Sequence, residues 1–449
     1  MKISTTSEKI NAQGGLILVG RLLNKFCKLS ELFSDQKSAP NQRFSEGNIL
    51  KVAIGLLCQG RTHFSDVELF RGEAGEIMRQ GLEVNAIPSE SRFRQLFNKI
   101  AKRTPAMDTL KEVNQNLLKS ITPTPIQVGE ELFIPNDVDV TPLNNEGSNR
   151  EDIGFTYKGF MGFAPIMSNL GKEGYLLHHE LRPGVQHSQK DTPEFLKENF
   201  RLLAKLDLEH QVLVRLDSGF DSADTVQVLR ESGHSFLVKR NLRSEDKVKW
   251  LSLAKAHGGP DETPRAGKEV YYGTAEHCVP GGEKSSQEPL TCVYKVTERS
   301  IDRDGNALLI HELEVDLYWT NLAVSPQEVI AQYRDHATSE QFHSEIKSDM
   351  GIERFPSKSF LVNELFFMVG MIAYNILRVI DSRVMETVKD WPPFYRKKGQ
   401  RQSRRRVGSI MRDFILVASK VVKHGGKVVL KLAESWPWTN VLQRVAQTL

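Results

Sequence analysis

Apolar positions follow a helical spacing over the first 120 residues of this chain, switch to alternation beyond residue 125, and return to helical spacing near residue 326. Ser45-Glu46-Gly47-Asn48 precedes an apolar run through Ile49, Val52, Leu56 and Leu57 that ends near Gly60, which predicts a helix. A second helix is expected from Ser65, with Val67, Leu69 and Phe70, and a third after Ser89, a side chain suited to capping a helix start. Pro123 and Pro125 interrupt the helical pattern and mark a linker. Residues 131–140 then alternate as a strand, and residues 160–163 and 175–177 suggest two more strands of an antiparallel meander. A helix over 192–206, a buried strand over 211–216, a helix over 223–232 and a strand over 235–238 complete an α/β pattern, a mixed sheet covered by helices. Residues 241–312 break that rhythm with Gly-rich turns and alternating segments, which reads as a β-rich insertion. A core strand resumes over 313–322, and one continuous helix is expected over 326–347.

These elements predict five units. They are a helical N-terminal domain (1–120), a first core part (126–240), the insertion (241–312), a second core part (313–380) and a basic helical C-terminal region (381–449). The hydrophobic fraction of 39% is that of an ordinary globular protein. The formal charge is only +4, but it is unevenly spread: from Arg396 onward there are thirteen Lys or Arg and two acidic residues. Arg396-Lys397-Lys398 and Arg404-Arg405-Arg406 are therefore candidate phosphate contacts, as is Arg92 on the third helix. The four cysteines are scattered without CxxC spacing, which suggests neither a zinc site nor a disulfide framework and fits a reducing cytoplasm. The apolar run over 361–377 is short for a membrane span and contains Asn363, Glu364 and Asn375, so it is expected to be a buried core helix.

The chemistry concentrates in three blocks. On the 131–140 strand, Asp137 and Asp139 share a face where Val or Ile would be ordinary. Asp217 ends the next buried strand, before the turn Ser218-Gly219. Along the 326–347 helix, Tyr333, His336, Glu340 and Lys347 fall near one face, with Arg334 beside them. Carboxylates from two strand ends and a helix are suited to hold two Mg²⁺ or Mn²⁺ ions. Such a pair, about 3.5–4 Å apart, clamps the attacking and leaving oxygens of a phosphoryl displacement. No Walker A, GxGxxG or HExxH pattern is present, so ATP, dinucleotide and zinc-protease readings lack support.

On these residues the chain resembles the DDE transposases of bacterial insertion sequences, in particular the 1380-type class within DDE group 1 that carries a Y-R-E-K signature. Tyr333, Glu340 and Lys347 have the signature spacing, while His336 stands where the class has Arg. The blocks from Asp137 to Thr141 and from Leu213 to Phe220 match the same class, with weaker matches at Leu181-Arg182-Pro183-Gly184 and Thr320-Asn321-Leu322. The resemblance implies an RNase H-like core with Asp139, Asp217 and Glu340 as the metal-binding catalytic triad. Asp139 is favoured over Asp137 because Thr141 follows it. It implies that Tyr333 and Lys347, with His336 in place of Arg, contact DNA phosphates. The implied activity is cut-and-paste transposition. A homodimer would bind double-stranded DNA at terminal inverted repeats and join the cut ends to target DNA, in the bacterial cytoplasm at the nucleoid and away from membranes. Two alternatives are a nuclease of the same fold without strand transfer and a catalytically silent DNA-binding descendant.

Overall fold

The computed structural model describes residues 1, 3–4, 6–34, 44–279, 289–302, 304–388, 404–425 and 427–449; the cluster Arg396-Lys397-Lys398 lies outside them. The N-terminal part is helical, as the periodicity predicts. It contains α1 (Leu16–Lys25), α2 (Glu46–Leu57), α3 (Glu90–Ala101) and α4 (Ala106–Leu118). The Ser45 hydroxyl accepts the Asn48 amide at 3.2 Å to start α2, and Ser89 accepts the Arg92 amide at 3.4 Å to start α3. The expected second helix is instead a 3₁₀ segment, Phe64–Phe70. Its buried residues Phe64, Val67 and Phe70 recur every three positions, the repeat of a three-per-turn helix rather than of an α-helix.

The sheet is built from β1 (Glu131–Val140), β2 (Ile166–Leu170), β3 (Tyr175–Glu180), β4 (Gln211–Leu216), β5 (Ser235–Arg240), β6 (Lys268–His277), β7 (Leu290–Ile301) and β8 (Ala307–Thr320). Their order is β6-β7-β8-β5-β4-β1-β2-β3, with the short strand Glu262–Arg265 beside β6 and Ile126–Val128 beside β1. Strands β1, β4 and β5 run parallel to one another, and all other pairings are antiparallel. Helix α5 (Thr192–Leu203) leads from the edge strand β3 to β4, and the crossover helix α6 (Ala223–Glu231) joins the parallel strands β4 and β5. The segment expected as a separate insertion contributes α7 (Lys247–His257) and strands that extend the main sheet. Its predicted boundary at residue 312 falls inside β8, because the alternation there continues unbroken into the core strand.

The expected 326–347 helix is broken. It consists of α8 (Pro326–His336), α9 (Ser339–Ser344) and a π-turn, Glu345–Asp349. At the break, the Ala337 amide reaches back to the Arg334 carbonyl and the Thr338 amide to that of Asp335, a tightened turn that the Thr338 hydroxyl reinforces through the same Asp335 carbonyl at 2.8 Å. Helix α10 (Phe360–Thr387) follows. Its length and composition would allow it to cross a membrane, but it is mostly buried within the protein. Asn375 on α10 donates to Asn114 of α4 at 2.7 Å and accepts the Leu176 amide of β3 at 2.8 Å. Helices α1 to α4 pack around α10, and one apolar core runs from them into the sheet.

The C-terminal region departs from the expected all-helical form. Ser419–His424 and Lys427–Leu432 pair as a hairpin beside Ile10–Asn11, before the last helix, Thr439–Thr448. Val421, Val422, Val428 and Val429 favour extended backbone there.

Candidate active site

The register of the parallel strands determines which aspartate faces which neighbour. Asp137 pairs across the ladder with Arg215. Two residues on, past the last paired position Val138–Leu216, Asp139 and Asp217 occupy equivalent places at the ends of adjacent strands. The two aspartates on the β1 face therefore meet opposite fates. Arg215 donates from Nε and Nη2 to the two Asp137 oxygens at 2.6 and 2.8 Å, and His336 Nδ1 lies 2.9 Å from Asp137 Oδ1. Burial opposes the Asp137 charge, but Arg215 and His336 outweigh it and hold the carboxyl down at about 2. Asp139 has no arginine opposite. Burial first, then the charge of Asp217 and more weakly that of Glu340, push it up to about 7. Asp217 is also raised, by burial, although its Oδ1 accepts the Gly219 amide at 2.9 Å.

Asp139, Asp217 and Glu340 line one cleft of about 520 Å³, with Tyr333, Arg334 and His336 on its helical wall. Lys239, Lys295, Glu314, Asp316 and Tyr318 line it from β5, β7 and β8. The structure thus separates residues that the sequence left as alternatives: Asp139 opens onto the cleft, and Asp137 is buried in an ion pair beneath it. Lys347, expected on the same helix face, sits in the π-turn and does not line the cleft. The break after His336 rotates it away, though its ammonium still feels Asp139. His336 does line the cleft, but it is 5% exposed and tied to Asp137, which raises its pKa against the opposing effect of burial.

The arginines of the C-terminal cluster are occupied within the fold. Arg404 donates to the fully buried Glu345 at 2.6 Å, Arg406 grips both oxygens of Asp349, and Arg405 pairs with Asp381 at 3.0 Å. Arg405 is 3% exposed and offers no surface to a phosphate, which corrects its expected role as a DNA contact. The cluster instead anchors the π-turn that follows Glu340 to α10 and the C-terminal segment. Arg92 remains exposed on α3, where it donates to Gln95 at 2.6 Å.

Sequence reasoning missed Lys239, Asp316 and Tyr318. Lys239 lies 3.2 Å from Asp316, and its ammonium sits 5.6 Å from the centre of the Tyr333 ring. The signal was present as polar residues two apart in a strand otherwise read as core, Asp316 and Tyr318. His343 was also missed; its Nδ1 is 3.6 Å from Asp139 Oδ2, and burial with the nearby Lys347 charge holds it down at about 3, so it is neutral.

Three carboxylates from two strand ends and a helix give an oxygen-only, anionic donor set of the kind hard divalent cations take, and the burial and carboxylate repulsion that raise Asp139 are what such a cation would offset. Among the described residues, no three His, Cys, Asp or Glu side chains stand close enough together to hold a metal ion as they are placed. The raised Asp139 carries a pH prediction. An acid held above its ordinary value contributes stability in full below that value, near 3.8, and loses it as pH rises through about 7. Adding Mn²⁺ is therefore expected to raise the melting temperature more at about pH 8 than at about pH 6, because the ion binds the deprotonated carboxylate. An equal rise at both values would refute this.

Strand ends that converge on a cleft are where α/β proteins commonly place a site, and here that cleft is acidic. The chain belongs to the family described as transposase DDE domain group 1, which it matches over residues 1–449. No curated protein matches the sequence. Among solved structures, a piggyBac transposase synaptic complex with hairpin DNA, studied by cryo-electron microscopy, aligns with a TM-score of 0.44 and 11% identity, covering 90% of this chain and 79% of that one.

Proposed function

We propose that this protein is the transposase of a bacterial insertion sequence of the Y-R-E-K, 1380-type class, cutting its element's terminal inverted repeats and joining the ends to target DNA by cut-and-paste. The observation that carries the reading is the side-by-side placement of Asp139 and Asp217 at adjacent parallel strand ends, with Glu340 on the same cleft, in a chain of the DDE family. The order β3-β2-β1-β4-β5, with β1, β4 and β5 parallel, supports an RNase H-like core.

In this reading Asp139, Asp217 and Glu340 would hold two Mg²⁺ or Mn²⁺ ions. When bound, these would supply Lewis-acid stabilisation of the charge that develops on the attacked phosphate. Arg334 and Lys239 lie in the cleft to receive phosphate oxygens, and the Tyr333 ring, packed 5.0 Å from Tyr318, forms its wall. Arg215, through Gln332 and Asp335, and Asp137, through His336, tie α8 to the sheet just before the helix that carries Glu340. The DNA partner is double-stranded, bound by a homodimer in the bacterial cytoplasm, with Arg92 among the contacts from the N-terminal helices.

The test is direct. Purified protein is incubated with Mg²⁺, target plasmid and the inverted repeats that flank its gene. End cleavage followed by joining of pre-cut ends to the plasmid is expected. Cleavage without joining would reassign the protein as a hydrolytic nuclease, and absence of any cleavage would overturn the reading.

A further inference from the structure

Helices α4 and α5 both pack on the edge strand β3, and a recess of about 530 Å³ lies between them. That volume is within the range of about 300–1,000 Å³ usual for small-molecule sites. No residue lines both this recess and the catalytic cleft. The topology keeps the two apart: α5 leads into the start of β4, whereas Asp217 follows the end of that strand.

The walls of the recess are basic at a helical repeat. Lys111, Gln115 and Lys119 follow one another every four residues down one stripe of α4 and its C-cap, and Arg201 and Lys205 keep the same spacing at the end of α5. Two acids, Asp108 and Glu112, share the lining with these four bases. Asp108 lies 3.8 Å from Lys111. Glu198 accepts two hydrogen bonds from Arg201, each 2.6 Å, and lies 3.8 Å from Lys111. Lys119 and Lys205 are exposed, and among the described residues neither has a carboxylate within ion-pair distance. Their charge is open to a ligand.

Gln115 stands between the lysines and is 4% exposed, yet among the described residues neither its Oε1 nor its Nε2 has a hydrogen-bond partner. The preceding amide shows what packing can supply. Asn114, also buried, donates to the Leu176 carbonyl at 3.0 Å and accepts from Asn375 at 2.7 Å. A buried amide left without either partner calls for an explanation, and an occupant of the recess provides one. Amide N–H donors set between ammonium groups suit an oxyanion. A duplex resting on the two helices would meet the exposed lysines but not a side chain this deeply buried, so the occupant that engages all three is compact.

We propose that the recess between α4 and α5 binds a compact phosphate-bearing molecule, of the nucleotide or polyphosphate class. Gln115 donates to a phosphate oxygen, and Lys119 and Lys205 balance the charge. The site is separate from the acidic cleft and stands whether or not the protein cuts DNA.

The test uses the full-length protein in a chelator, so that no cation can draw an anion into the acidic cleft. Inorganic tripolyphosphate is titrated in a calorimeter, and melting temperatures are read with and without it. Wild-type protein is expected to bind one equivalent saturably and to melt higher when loaded. Lys119→Ala/Lys205→Ala should bind about tenfold more weakly. Gln115→Met, close in volume but without the amide, should also bind about tenfold more weakly while melting no lower than wild type when unloaded, since it removes an unpartnered buried polar group. Unchanged affinity in Gln115→Met would overturn the proposal, as would the absence of saturable binding to wild type. A duplex of unrelated sequence is the last arm. If the lysine variant weakens binding to that duplex while tripolyphosphate does not compete for it, the lysines are a DNA contact and the proposal fails.

Discussion

Asp217→Asn is expected to lower Mg²⁺-dependent cleavage of the element ends by at least about a thousandfold, a loss of roughly 4 kcal/mol of transition-state stabilisation. The substitution keeps shape and removes charge. Asp217 sits beside Asp139, whose carboxyl is raised to about 7 by burial and by the Asp217 charge. Neutralising Asp217 relieves that repulsion, so the free protein should be no less stable, and Asp139 should titrate closer to an ordinary carboxylate. What is lost is the anionic pair that a cation needs. Asp139→Asn and Glu340→Gln should abolish cleavage in the same way, whereas Asp137→Asn should act mainly through stability, because Asp137 faces Arg215 and not the cleft. Cleavage and DNA binding measured side by side check this. Full cleavage by Glu340→Gln protein would remove Glu340 from the site.

Arg215→Ala is expected to cost about 3–5 kcal/mol of folding stability, the range for breaking a buried ion pair by deleting one partner. Arg215 is 1% exposed, and besides Asp137 it donates to the Gln332 carbonyl at 2.8 Å and to Asp335 at 3.1 Å. Its removal leaves a buried carboxylate with only His336 beside it and cuts the tie between β4 and α8. The effect should also depend on pH. Asp137 is held at about 2, so the stability it contributes is present above its ordinary value near 3.8 and is lost as pH falls through about 2. In Arg215→Ala protein that acid-side loss should flatten. Denaturant titrations of both proteins at several pH values measure it, and equal stability of the two at neutral pH would show that the pair holds nothing together. Arg215→Lys should recover only part of the loss, since an ammonium cannot reach both Asp137 oxygens and the Gln332 carbonyl at once.

The acidic blocks were legible because each broke a local rule. Two aspartates replaced branched apolar residues on a strand face, and a third ended a buried strand. What alternation could not provide was the choice between Asp137 and Asp139, since period two puts both on the same face. The opposing strand made that choice by setting Arg215 against one and Asp217 against the other. The helix after residue 326 was legible in kind but not in continuity. Its composition contains no Pro or Gly to announce a break, and the turn at Ala337-Thr338 arises where the chain passes from the sheet side of α8 to the packing of Phe342 and Ile346 in the core.

Charge was the least reliable signal. The run Arg404-Arg405-Arg406 looks like a phosphate-binding stripe, yet Glu345, Asp381 and Asp349 claim it from positions 59, 24 and 57 residues away. Local patterning by itself therefore determined several strands of the main sheet, most helices of the N-terminal part, two of their capping residues and the candidate acids, because propensity, period and capping act over a few neighbouring residues. Strand register, long-range ion pairing and the placement of Lys239, Asp316 and His343 beside the acids were decided only in the tertiary structure. These depend on which distant segment lies opposite, and that is settled by burying the whole core at once.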